Sequence, residues 1–138
     1  MKNVEFRKIF GFIPVPIFWT EKTLKDWQGG YSVGFFCVIR PKYRERGDEG
    51  IVQHELTHCK QFYKRFPLHG LLYRFNDTYR MNAECEAYAV QLKNYPERAA
   101  NFGWMVDAMA TKYNLKFSRD FIEIEFRRHC SEVGIDVG

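Results

Sequence analysis

Residues 48–67 read DEGIVQHELTHCKQFYKRFP and predict one long helix. Asp48 is a favourable N-cap, and Glu49 suits the positive N-terminal end of a helix dipole. Pro67 forces the helix to end near Phe66, because the residue before a proline avoids the helical conformation. At helical spacing, one side of this segment carries eight residues: Ile51, Val52, Glu55, Leu56, Cys59, Phe62, Tyr63 and Phe66. The segment is therefore predicted to be an amphipathic helix that packs on a core.

Within this helix, His54, Glu55 and His58 form the pattern H-E-x-x-H. Histidines four positions apart project from one helix face, where their imidazoles can bind a single Zn²⁺. The glutamate between them can reach a water molecule on that metal and act as a general base. The pattern thus indicates a zinc hydrolase, with His54 and His58 as ligands and Glu55 as the catalytic residue. The alternative is that all three are ordinary polar side chains.

A catalytic zinc site takes three protein ligands and keeps one position open. An extended pattern that supplies the third histidine from the same segment, H-E-x-x-H-x-x-G-x-x-H, is excluded, because Gln61 and Lys64 stand at its glycine and histidine positions. His69 lies too near in sequence to return across a cleft, and His129 lies far away. A lone histidine also packs in a core or faces solvent more often than it binds metal.

A better source of the third ligand is a second predicted helix over residues 79–92, with Asp77 as a plausible cap and Pro96 beyond its end. Glu84 follows His58 by 26 positions, which leaves room for a connector and an antiparallel helix. Glu84 and Glu86 differ by about 200° around the helix axis, so only one of them is expected to face the metal. The spacing alone leaves both glutamates open.

H-E-x-x-H followed by a glutamate on a later helix resembles the gluzincin group of zinc metallopeptidases, and the chain is most similar to its minimal, single-domain members. The resemblance covers roughly residues 30–92. It implies Zn²⁺ bound by His54, His58 and Glu84, since compact members carry a small residue three places after the ligand, here Ala87. The chain departs from the group at Ala83, which separates Asn82 from Glu84, and at Tyr88, where an aspartate is usual.

The resemblance also implies a fold and a substrate. We expect an α+β, mostly helical, zincin-like single domain over residues 1–138, with a small β-sheet packed on the H-E-x-x-H helix. We expect hydrolysis of a peptide or protein substrate. Residues 32–39, SVGFFCVI, predict a strand that ends before Pro41. In zincins such a strand pairs with an extended substrate, whereas the sequence alone is equally consistent with a plain core strand.

Composition agrees with one globular domain, because 46% of the 138 residues are hydrophobic. Residues 9–19 are apolar but too short and too proline-broken to span a bilayer, so we expect short extended segments and no membrane partner. The formal charge of +4 comes without a recognition motif, and nucleic acid is not expected as a partner. Four scattered cysteines without a C-x-x-C pair favour a reducing, cytoplasmic location, with two disulfides as the alternative.

Two more helices are predicted after Pro96, which suits a first helical position. One runs from Glu97 to Tyr113, and the other from Arg119 to Glu132 after the cap Ser118. No oxyanion stabiliser is assigned, because tertiary position and not spacing determines that group. The candidates are Tyr73, Tyr79, Arg80 and His129. A second functional hypothesis is a metal-binding or pseudo-enzyme module without turnover, against which the intact Glu55 argues.

Overall fold

A computed structural model describes residues 3–138, and over these residues the fold is α+β, as predicted. It contains four strands, β1 (Val4–Ile9), β2 (Ile13–Trp19), β3 (Gly30–Ser32) and β4 (Cys37–Ile39), and six helices, α1 (Pro41–Glu45), α2 (Glu49–Lys64), α3 (His69–Phe75), α4 (Asp77–Lys93), α5 (Arg98–Lys112) and α6 (Arg119–Glu132). The chain divides into two compact units, one ending at His69 and the other running from Gly70 to Gly138. The expectation of a single domain remains a prediction.

The first unit is built on a mixed sheet with the strand order β1-β2-β4-β3. β1 and β2 form an antiparallel hairpin, β2 pairs with β4 in parallel, and β3 pairs with β4 in the antiparallel sense. The turn of the first hairpin uses positive φ angles at Phe10 (53°) and Gly11 (79°). Extended structure was expected within residues 9–19, but β1 and its pairing were not, because register is a tertiary property.

The sheet packs on α2 through its inner face, which confirms the predicted contact. Alternate residues of β2, Val15 and Ile17, are fully buried, as period-two patterning requires. They join Val52 and Leu56 of α2 in one apolar cluster. Burying each such side chain contributes about 1.5–3 kcal/mol, so this contact fixes the helix on the sheet.

α2 begins as predicted, because the Asp48 carboxylate accepts a hydrogen bond from the Ile51 amide at 3.2 Å. Its first turn is also tied to β1 by Arg7, whose guanidinium donates to both carboxylate oxygens of Glu49 at 2.8 and 3.0 Å. This bidentate pair holds the pKa of Glu49 below its usual value. The helix ends at Lys64, slightly before the position expected from Pro67.

The predicted continuous strand over residues 32–39 is wrong. β3 and β4 are separate short strands of an antiparallel hairpin, and the chain reverses between them. Gly34 has a φ of +99°, and the Val33 amide donates to the Phe36 carbonyl at 3.0 Å, which closes the turn. Only glycine adopts this backbone conformation without strain, so one residue in an otherwise strand-like run redirects it. β3 consequently lies at an edge of the described sheet.

The second unit has its own core, formed mainly by α4, α5 and α6. Phe102 and Phe126 stack with ring centroids 4.8 Å apart, and Met105 and Ile122 are fully buried beside them. Ser118 caps α6 through the Phe121 amide, as predicted. These contacts join the last two helices into one packed layer with α4.

Two predicted helix starts in the second unit need correction. The cap of α4 is Asn76, which accepts from the Tyr79 amide at 2.9 Å, while Asp77 is already inside the helix. An aspartate in the first turn favours the helix dipole as well as an aspartate cap does, so the sequence allowed either start. Pro96 precedes α5 and does not open it, since Glu97 is the cap residue.

Substituting alanine for Gly34 should destabilise the protein more than the same change at Gly11. Both glycines have positive φ, +99° and +79°, so the backbone alone costs about 1–2 kcal/mol at either position. Only at Gly34 would the new Cβ meet the Phe62 ring, at 2.5 Å. We therefore expect Gly34→Ala to lower the free energy of unfolding by about 1 kcal/mol more than Gly11→Ala in urea denaturation. Equal losses would mean that the Phe62 ring gives way.

Candidate metal centre

His54 and His58 occupy successive turns of one face of α2. Their ring centroids are 5.0 Å apart, with the ring planes inclined at 72°. His54 is only 5% exposed and His58 is half-buried. The predicted helical placement of the two imidazoles is therefore confirmed, and the pair borders the core of the first unit.

The ring of His58 is oriented by Gln61, one turn further along α2. His58 Nδ1 lies 2.9 Å from Gln61 Oε1, which accepts the ring N–H. With the proton on Nδ1, Nε2 carries the lone pair that a metal requires. The sequence analysis gave Gln61 no role in the site. The sequence feature that could have indicated this contact is the three-residue spacing between His58 and Gln61, because such a spacing brings side chains together on a helix.

Glu55 follows His54 directly and is 5% exposed. A carboxylate removed from water to this degree costs free energy unless its surroundings compensate for the lost solvation. Thr57, two residues further along α2, has a structural role, because its hydroxyl donates a hydrogen bond to the Gln53 carbonyl at 2.7 Å. Glu55 is thus a buried acid within the H-E-x-x-H segment.

Glu84 lies in the middle of α4 and is 1% exposed, whereas Glu86 is half-buried. One nitrogen from each of His54 and His58 and one carboxylate oxygen of Glu84 lie within 4.8 Å of one another. Among the described residues, neither Glu86 nor the other two histidines belong to this cluster. The three side chains brought together are those that the sequence interpretation had favoured.

Tyr73 of α3 donates its hydroxyl hydrogen bond to Oε2 of Glu84. A carboxylate held through one oxygen in this way presents the other, Oε1, for a further interaction. The sequence had named Tyr73 only among four candidates for oxyanion stabilisation. Its contact with Glu84 joins two helices and could not be inferred from spacing within one of them.

Two of the other candidates make structural contacts. The Arg80 guanidinium donates to the backbone carbonyls of Tyr73, at 2.8 Å, and Tyr113, at 2.9 Å, as well as to the Asp77 carboxylate. His129 Nε2 lies 2.8 Å from Asn82 Oδ1. Burial and the neighbouring Arg128 lower the pKa of His129.

The donor set fits Zn²⁺. Two imidazoles and one carboxylate are the ligand combination of a catalytic zinc with an open fourth position. The same set suits Ca²⁺ or Mg²⁺ poorly, because these ions prefer oxygen ligands.

Comparison of the chain with protein-family models, with curated proteins and with solved structures gave no match. Over the residues that the structure describes, no helix combines the length and the apolar character needed to cross a membrane.

A matched pair of variants separates the two glutamates of α4. Glu84→Gln removes the charge of the buried carboxylate in the cluster, whereas Glu86→Gln makes the same change two residues away. We expect Glu84→Gln to weaken zinc affinity at least tenfold and Glu86→Gln to leave it within about twofold, as measured by competition with a chromophoric chelator. The reverse ranking would transfer the ligand role to Glu86.

Proposed function

We propose that this protein is a zinc-dependent hydrolase that cleaves peptide bonds, a minimal metallopeptidase of the gluzincin type. One observation carries the proposal: the two histidines of the H-E-x-x-H segment gather with Glu84 within 4.8 Å, while Glu55 of the same segment is buried beside them in sequence. A structural zinc site has no use for such a base. The intact Glu55 therefore favours turnover over metal binding alone.

In this proposal His54, His58 and Glu84 hold the metal, and Glu55 moves the proton. A zinc ion bound there would supply Lewis-acid chemistry, lowering the pKa of a bound water toward neutrality. Glu55 accepts a proton from the attacking water and then delivers it to the nitrogen of the leaving amine. The same carboxylate thus acts first as a base and then as an acid. Peptide hydrolysis consumes one water and releases an amine and a carboxylic acid.

Two hydrogen bonds preorganise the proposed ligands. Gln61 fixes the tautomer and rotation of His58, and Tyr73 holds one oxygen of Glu84. Hydrogen bonds of this kind, made to the ligand side chains and not to the metal, hold metal ligands in the orientation that binding requires. Tyr73 is accordingly assigned a positioning role through Glu84.

An extended peptide is the substrate class that the sheet supports. β3 is an edge strand of the described sheet, and the same strand order puts β4 in its interior. An edge strand offers unpaired backbone groups to which a peptide can add by β-augmentation. With three residues, β3 would bind only a short stretch of substrate through its backbone. Side-chain pockets would then have to supply most of the specificity.

Glu55→Gln tests the proposed reaction. The amide keeps the shape of the side chain but cannot accept the proton, so we expect cleavage of an unstructured protein such as casein to fall at least about 100-fold. Zinc content should stay near one ion per chain, since Glu55 is not a proposed ligand. Glu86→Gln serves as the control and should keep activity. Zinc binding by the wild type without any turnover would instead favour a metal-binding module.

Tyr73→Phe tests the positioning role. Loss of the hydroxyl should weaken zinc affinity about 10- to 100-fold and change the visible absorption of the Co²⁺-substituted protein, because Glu84 would be free to change its mode of ligation. Tyr88→Phe is the matched control. It removes a hydroxyl that pairs with Tyr113 at 2.7 Å in the same unit. A lower melting temperature with an unchanged cobalt spectrum would reduce Tyr73 to a structural residue.

A further inference from the structure

Cys37 and Cys59 bring their sulfur atoms together in the core of the first unit. The two Sγ atoms are 3.4 Å apart, and the residues are 1% and 0% exposed. Cys37 lies on β4, and Cys59 on α2 directly after His58. The pair therefore faces across the contact between the sheet and the helix that carries the H-E-x-x-H segment. The proposed hydrolytic reaction uses neither sulfur.

The separation is close to that of a disulfide. A bonded pair has its sulfur atoms about 2.05 Å apart, so the two Sγ atoms must approach by about 1.4 Å. Each sulfur moves by rotation about a single side-chain bond, and β4 and α2 already pack against each other in one apolar cluster. By contrast, Cys85 of the second unit makes its sulfur contact with Met109 Sδ, at 3.7 Å.

We propose that Cys37 and Cys59 form a reversible intramolecular disulfide when a peroxide is present. One thiol is first oxidised by hydrogen peroxide to a sulfenic acid with release of water, and the second thiol attacks that sulfur and displaces its oxygen as a second water. Two S–H bonds and one O–O bond are broken and one S–S bond is formed. The sulfur pair loses two electrons, which the peroxide gains, and both thiol protons end in water.

Ser32 contacts one of the two thiols. Its hydroxyl lies 3.3 Å from Cys59 Sγ, and the residue itself is only partly buried, on edge strand β3. In a reducing compartment the pair stays as two thiols, so the bond would record oxidising conditions.

Formation of the disulfide would change the stability of the protein. The bond would tie β4 to α2 across 22 positions of chain and restrict the unfolded state, which stabilises the folded one. We expect the melting temperature of the full chain to rise by roughly 5–10 °C on oxidation and to return on reduction with dithiothreitol. This inference does not rest on the proposed function, because it requires no metal and no turnover.

The test is peroxide treatment of the full chain, followed by unfolding, alkylation of the remaining thiols, proteolysis and mass spectrometry. The expected product is a linked pair of peptides that contain Cys37 and Cys59, 2 Da lighter than their sum. Alkylation of both cysteines after oxidation, or linkage of either to another cysteine, would overturn the proposal. This mapping uses the wild-type chain and does not depend on any variant folding.

Two double variants provide the matched control. Cys85→Ala with Cys130→Ala keeps the proposed pair and should show the same peroxide-dependent rise in melting temperature. Cys37→Ala with Cys59→Ala keeps the other two cysteines and should show none. A rise in the second variant alone would assign the redox response to the second unit and refute the proposed site.

Discussion

The packing of α2 on the sheet is the contact on which the first unit depends. One side of this helix buries Val52 and Leu56 in the apolar cluster that it shares with the sheet, and an adjoining stripe carries His54 and His58. Because the apolar contact fixes the rotation of the helix about its axis, it also fixes where the imidazoles point. The polar stripe cannot be moved without exposing the apolar one. The packing of α2 on the sheet thus sets both the core of the first unit and the direction of the two imidazoles.

Burial of the charged motif residues works against stability. Glu55 and Glu84 are each at most 5% exposed, and a buried carboxylate costs free energy unless charges or hydrogen bonds compensate. The Tyr73 hydroxyl supplies part of that compensation for Glu84. An apolar side chain of similar size would need none, so stability alone does not account for acids at these positions. In the proposed function these acids have a use, because a bound cation would require ionised oxygens near it.

Local signals predicted the helices, and tertiary contacts decided the rest. Asp48 and Ser118 mark helix starts through bonds to amides three residues later, so short sequence windows were sufficient. The β3–β4 hairpin was missed because Gly34 reverses a run whose other residues favour a strand. The sequence analysis missed α1 and α3 because these helices have only 5 and 7 residues, too few to show a helical periodicity. Tyr73 belongs to α3, and its part in the site was hidden with that helix.

The two glutamates of α4 show why sequence can narrow the set of candidate ligands but cannot choose among them. On α4, Glu84 shares its helical stripe with Ala87 and Gln91, which are also buried, while Glu86 points about 200° away and is half-buried. A stripe that mixes a small residue with buried polar ones is not apolar, so hydropathy alone does not mark it as buried. That pattern is visible in the sequence only once the apolar side of the helix, with Met81, Cys85 and Leu92, is known to serve the core of the second unit. The stripe with Glu84 and the apolar stripe are both buried, which leaves Glu86 on the more solvent-exposed side of α4. There water can solvate its charge.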